Sequence, residues 1–80
     1  MKVKVANRIY RMSREEYEKL LQIASEQVSF GIYAVEKGNY AELRNDKCDS
    51  MTQLKGQTRQ FREQGFKVLS NKALNPGREE

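Results

Sequence analysis

A single cysteine, Cys48, and no histidine leave this chain of 80 residues without the staples on which small folds often lean. One thiol cannot close an intrachain disulfide, and without imidazole no ordinary zinc site can be assembled. The length gives room for one domain, and a chain this short buries only roughly 60 % of the surface its unfolded form exposes. A well-packed core or self-association must therefore hold the fold. Hydrophobic residues make up 38 % and charged residues 32 %. Because Tyr, Phe, Leu, Ile and Val recur in order, this composition fits a folded domain under a heavily charged surface, not a disordered chain.

The periodicity predicts an α+β domain over residues 1–72. Val3 and Val5 alternate with Lys2 and Lys4, and Ile9-Tyr10 makes a second short run. Residues 2–12 read first as a hairpin turning at Ala6-Asn7, where Asn tolerates positive φ, and second as one long strand. Ser13-Arg14-Glu15-Glu16 has capping-box form and opens a helix over about 13–27. Tyr17, Leu20, Leu21, Ala24 and Val28 share its inner face. Phe30 to Glu36 reads as a strand with apolar residues on both faces, and Lys37-Gly38-Asn39 as a turn. Residues 40–44 suit a returning strand, although Ala41-Glu42-Leu43 also suits a helix. Asp49 or Ser50 caps a second helix over about 50–64, with Met51, Leu54, Thr58 and Phe61 inward and Gly65 ending it. Phe66 to Ser70 closes the domain as a strand. The expected architecture is a small, mainly antiparallel sheet with both helices on one face, in the order β(β)αββαβ. If residues 2–12 form one strand, that order becomes the ferredoxin-like βαββαβ. Asn75-Pro76-Gly77 is turn chemistry, and residues 73–80 read as a flexible tail.

Several function classes lack their parts. Without histidine there is no Ser-His or Cys-His pair and no imidazole base, so no catalytic residue is expected. Glu15 and Glu16 are adjacent on a helix and diverge, and the helix dipole accounts for first-turn carboxylates. Asp46-Lys47-Cys48-Asp49 offers two carboxylates and one thiol without metal-ligand spacing, and reads as a solvated loop ending in a cap. The glycines are scattered and form no phosphate-binding loop. No metal and no cofactor is expected. No apolar run approaches the roughly 20 residues that span a bilayer. The start Met1-Lys2-Val3-Lys4-Val5 has no long apolar stretch behind it, so the expected location is the cytoplasm, away from membranes.

Charge is the most informative feature. The net charge is +4. Between residues 44 and 72, seven basic residues (Arg44, Lys47, Lys55, Arg59, Arg62, Lys67, Lys72) face three acidic ones (Asp46, Asp49, Glu63), while the rest of the chain balances. Lys55, Arg59 and Arg62 fall at i, i+4 and i+7 and share one side of the second helix, among Gln53, Gln57, Gln60 and Gln64. Lys67 and Lys72 extend this patch if the last strand lies alongside. Such a face suits an acidic protein surface, the phosphates and base edges of nucleic acid, or plain solvent. A second candidate is the third strand, where Tyr33 and Val35 alternate with Phe30, Ile32 and Ala34. If the helices cover one sheet face only, the other is open for a partner or a homodimer, with Tyr33 as a contact.

The segment Tyr33–Asn39 with Gln64-Gly65-Phe66-Lys67-Val68, and the opening from Val3 to Tyr17, resemble small accessory proteins of phages and integrative elements of Gram-positive bacteria. Some of those proteins inhibit host defences, including CRISPR nucleases. The resemblance implies a counter-defence binder that occludes a host protein or nucleoprotein with an acidic surface. Direct DNA or RNA binding in a regulatory role is the alternative. The contact residues expected on either reading are Lys55, Arg59, Arg62, Lys67 and Tyr33.

Overall fold

The computed structural model describes residues 1–72, so the turn and tail expected over 73–80 lie outside the described residues. Its elements are β1 (Lys2–Val5), β2 (Arg8–Arg11), α1 (Arg14–Gln27), β3 (Phe30–Lys37), β4 (Tyr40–Lys47), α2 (Met51–Glu63) and β5 (Lys67–Lys72). The fold is α+β, with one mixed five-stranded sheet in the order β2-β1-β4-β3-β5.

Residues 2–12 form the hairpin, with Val3 opposite Tyr10 and Val5 opposite Arg8. The one-strand alternative, and the ferredoxin-like order that depended on it, are thereby closed. The positive φ of the turn falls on Ala6 (57°), not on Asn7. β4 is strand throughout, because it lies between β1, which pairs parallel to it, and β3, which pairs antiparallel. Local propensity left Ala41-Glu42-Leu43 undecided, and two flanking strands decide it.

Both helices carry their expected ends. The Ser13 hydroxyl accepts from the Glu16 N–H at 3.1 Å while the Glu16 carboxylate accepts from the Ser13 N–H at 2.9 Å. Ser50 caps α2 in the same way, accepting from the Gln53 N–H at 3.1 Å. At the other end of α2, Gly65 takes φ 91°. The Gly65 N–H then donates to Arg62 and the Phe66 N–H to Phe61, both at 3.0 Å, which is the Schellman pattern. Its hydrophobic contact is the edge-on pair Phe61–Phe66, with ring centroids 5.9 Å apart. The ion pairs among the described residues are those of Arg44 with Glu42 and Asp46, and Glu15 and Lys19, four apart on α1, form none.

The two helices lie on opposite faces of the sheet, not on one face as the periodicity suggested. Successive strand residues point to opposite sides, so β3 assigns them. Val35 joins a core with Phe30, Ile32, Cys48 and Leu54, on which Phe61, Phe66 and Val68 of the α2 side pack. The next residue, Glu36, takes a 2.6 Å hydrogen bond from the Tyr17 hydroxyl of α1. Under α1 a second core joins Val3, Tyr17 and Ala41, flanked by Met1, Val5, Met12, Leu21 and Leu43.

A bulge in β3 between Ile32 and Ala34 shifts the register against both neighbours. It therefore brings Ile32 and Val35 to the same side, where strict alternation would part them. Beside it, Gly31 has φ 150°, and a Cβ there would lie 2.1 Å from the Asp46 carbonyl oxygen. Only glycine lets β3 and β4 approach so closely.

Candidate functional site

The site is a groove of about 520 Å³ between α2 and β5. Its apolar floor is Leu54 and Val68, and Thr58 and Ser70 add hydroxyls to its walls. Four cations surround it, Lys55, Arg59 and Arg62 from α2 and Lys72 from β5, against one carboxylate, Glu63. None of the four cations is in an ion pair among the described residues. Their positive field is therefore not cancelled locally, and a groove with charged walls concentrates such a field.

Helix geometry explains the α2 contribution. Leu54 is buried at 1 % exposure and fixes the phase of the helix. Lys55, Arg59 and Arg62 then fall on the flank facing β5 and stay exposed. The opposite flank differs. There Gln57, Gln60 and Phe61 meet Arg44, Asn45, Asp46 and Lys47 of β4. Arg44 is occupied, since its Nε donates to Asp46, its Nη1 donates to Glu42 at 3.0 Å, and its guanidinium lies 4.8 Å from the centre of the Phe61 ring. This arginine belongs to the scaffold.

The strand alternation changes the membership of the patch. Val68, Ser70 and Lys72 face α2 and line the groove. Leu69 and Asn71 face α1, and the Asn71 amide donates to the carbonyls of Ser25 and Val28 at 2.8 and 2.9 Å. Lys67 shares the parity of Asn71, so it leaves the sheet on the α1 side and does not join the groove. Lys72 takes that place. Each of these residues was visible in the sequence, but the phase of β5 relative to α2 was not.

Tyr33 is also parted from the basic residues. It is half-buried and lies among the groups acting on the Tyr17 hydroxyl under α1. With a helix on each side of the sheet, β3 has no open face at this position. Tyr17 itself is buried, and burial first, then its hydrogen bond to Glu36, holds its phenol un-ionised well above the usual tyrosine range.

Cys48 is buried, with its Sγ 3.7 Å from the Asp46 carbonyl oxygen and 3.9 Å from Oε1 of Gln57. Burial raises its thiol pKa, and Asp46 and Asp49 raise it further. A thiol so placed is a small core residue, short of thiolate. Among the described residues no helix is long and apolar enough to cross a membrane. No family model, curated protein or solved structure matches the chain.

Proposed function

We propose that this protein works by binding, without catalysis, and that the α2–β5 groove receives an acidic surface of a protein or nucleoprotein partner. The observation that carries the reading is the convergence of Lys55, Arg59, Arg62 and Lys72 around one groove, with no ion pair to neutralise them among the described residues. The half-buried Val68 on the floor of the groove supplies apolar contact that a charged rim alone lacks. Action is by occlusion: a partner surface covered by this groove is closed to its own ligands. The likeness to phage and mobile-element accessory proteins makes a cytoplasmic host-defence nucleoprotein the partner class in view. The buried Cys48 thiol and the Glu16 carboxylate engaged in the α1 cap support a non-enzymatic role.

The test is the double charge reversal Arg59→Glu/Arg62→Glu, with the fold followed by circular dichroism. Affinity for the partner, measured by calorimetry, should fall at least about tenfold, since each charge-assisted contact contributes roughly 1.5–3 kcal/mol. Unchanged affinity in a folded double variant removes the groove from the binding surface.

The hydroxyls of Thr58 and Ser70 beside two arginines favour a second reading, a phosphate backbone in the same groove. A mobility-shift titration at two salt concentrations separates the readings. Contacts with several phosphates make affinity fall steeply with salt, and no shift at low salt excludes nucleic acid.

A further inference from the structure

β2 is the outermost strand on its side of the sheet, and β1 is its strand partner among the described residues. The end of this ladder reveals which backbone groups β2 leaves free. Met1 and Met12 exchange two hydrogen bonds, the Met1 ammonium donating to the Met12 carbonyl at 2.8 Å and the Met12 N–H to the Met1 carbonyl at 3.0 Å. Antiparallel pairs alternate between hydrogen-bonded and non-hydrogen-bonded. In the register Lys2↔Arg11, Val3↔Tyr10, Lys4↔Ile9, Val5↔Arg8, the bonded pairs are therefore Val3–Tyr10 and Val5–Arg8. Lys2 agrees, since its N–H turns away from Arg11 to the Asn39 carbonyl at 2.9 Å. The N–H and C=O groups of Ile9 and Arg11 thus point outwards from the sheet.

The side chains follow the same parity. Ile9 and Arg11 stand with Lys2 and Lys4 on the α2 side, where α2 packs on β3 and β5 and, among the described residues, leaves this end of the sheet uncovered. Ile9 is 59 % exposed. Residues 1–12 carry Lys2, Lys4, Arg8 and Arg11 and no acidic residue, and none of the four is in an ion pair among the described residues.

We propose that β2 is a docking edge for an extended acidic segment of a partner protein, which adds antiparallel to it as a sixth strand. The occupant bonds to the outward groups of Ile9 and Arg11. It places an acidic side chain opposite Arg11 and, two residues later, an apolar one opposite Ile9. The residue between them meets Tyr10 on the α1 side. A second copy of the chain also has a bonded register, with Ile9 opposite Arg11 about a two-fold axis through Tyr10. That pairing abuts two hairpins of four cations each with no acid on either, so charge complementarity selects an acidic occupant. The edge lies at the far side of the sheet from the α2–β5 groove, so neither surface depends on the other.

The probe is the synthetic peptide acetyl-Asp-Glu-Tyr-Val-Thr-Glu-amide, with its Lys-for-acid counterpart as control, added to the full chain. Amide exchange at Ile9 and Arg11 should slow at least about tenfold with the acidic peptide and not with the control. Tyr10, already bonded to β1, should change little. Ile9→Pro removes an outward N–H without touching the β1 ladder and should weaken peptide binding at least about tenfold. If proline disturbs the hairpin, Lys4→Glu/Arg11→Glu keeps every backbone group and should lose the peptide to the same extent. Unaltered exchange at Ile9 and Arg11 under millimolar peptide overturns the proposal. So does peptide binding that perturbs only Arg59, Arg62 and Lys72, which assigns the peptide to the groove. A peptide-free dimer by light scattering, with Ile9 and Arg11 already protected, also overturns it by making a second copy the occupant.

Discussion

The two helices are nearly equal in length, at 14 and 13 residues, and opposite in almost everything else. α1 carries four glutamates (Glu15, Glu16, Glu18, Glu26) against Arg14 and Lys19, whereas α2 carries Lys55, Arg59 and Arg62 against Glu63. α1 is seated by a polar anchor, the buried Tyr17 reaching Glu36. α2 is seated by Leu54 and an edge-on phenylalanine pair, and its polar tie to the sheet is an exposed one, Lys37 of β3 donating to the Gln64 carbonyl at 2.9 Å. Because the sheet lies between them, the acidic helix and the basic helix face opposite ways. By their own side chains α1 is net −2 and α2 is net +2. Negative charge is therefore favoured at the α2 flank over the glutamates of α1.

The comparison breaks most readily at the cores. Leu54→Ala should cost about 2–5 kcal/mol by urea unfolding, because Leu54 is fully buried under α2. Leu21→Ala, half-buried at the margin of the α1 core, should cost less than about 2 kcal/mol. Equal losses mean that the two cores are not unequal in the way their packing indicates.

Next in size is the anchor. Tyr17→Phe leaves the half-buried Glu36 carboxylate without its donor and should cost about 1–3 kcal/mol in thermal unfolding. The anchor also has a pH signature. The folded protein holds Tyr17 protonated beyond the usual range, and Tyr40, through burial and its bond to Glu42, is pushed up to about 12. Both folded values exceed the unfolded one of about 10, so the stability they add is complete below that pH and declines as pH rises through it. Unfolding measured from pH 8 to pH 12 should show this decline, and Tyr17→Phe should make it shallower.

The smallest effect is the sharpest test of the two faces. Lys72→Glu should weaken binding in the groove about tenfold, while Lys67→Glu, the same exchange on the same strand, should leave groove affinity within about a factor of two. Equal losses at both positions mean that the partner reads net charge and not the groove.

Much of the fold was legible because its signals are local. A capping box, a Schellman glycine and the alternation of Val3 and Val5 with lysine each act within a few residues. Other features were not legible, for equally physical reasons. The strand at 40–47 owes its state to β1 and β3 on either side. The bulge in β3 needs both partners to define it, and it sends Tyr33 to the α1 side, away from the basic residues. Lys67 and Lys72 differ by an odd number of positions, so strand parity alone parts them, and that parity has no meaning until a helix marks one face. The hairpin cations were hidden by bookkeeping along the chain, where the acids of α1 offset them. In space those acids lie on the α1 side of the sheet, opposite Lys2, Lys4 and Arg11.

The sequence by itself determined both helices with their starts and stops, the strands outside residues 2–12 and 40–47, and that Lys55, Arg59 and Arg62 share a flank. Only the tertiary structure decided which side of the sheet each helix occupies. β2 and β4 run in opposite directions, yet α1 and α2 both carry the chain the same way across the sheet, from β2 to β3 and from β4 to β5. Strand crossovers keep one hand, because a right-twisted strand feeding a right-handed helix packs back only that way. Opposite strand directions with the same sideways step therefore put the helices on opposite faces. That placement pairs Lys72 with the arginines of α2, turns Lys67 away, and leaves the basic hairpin edge open.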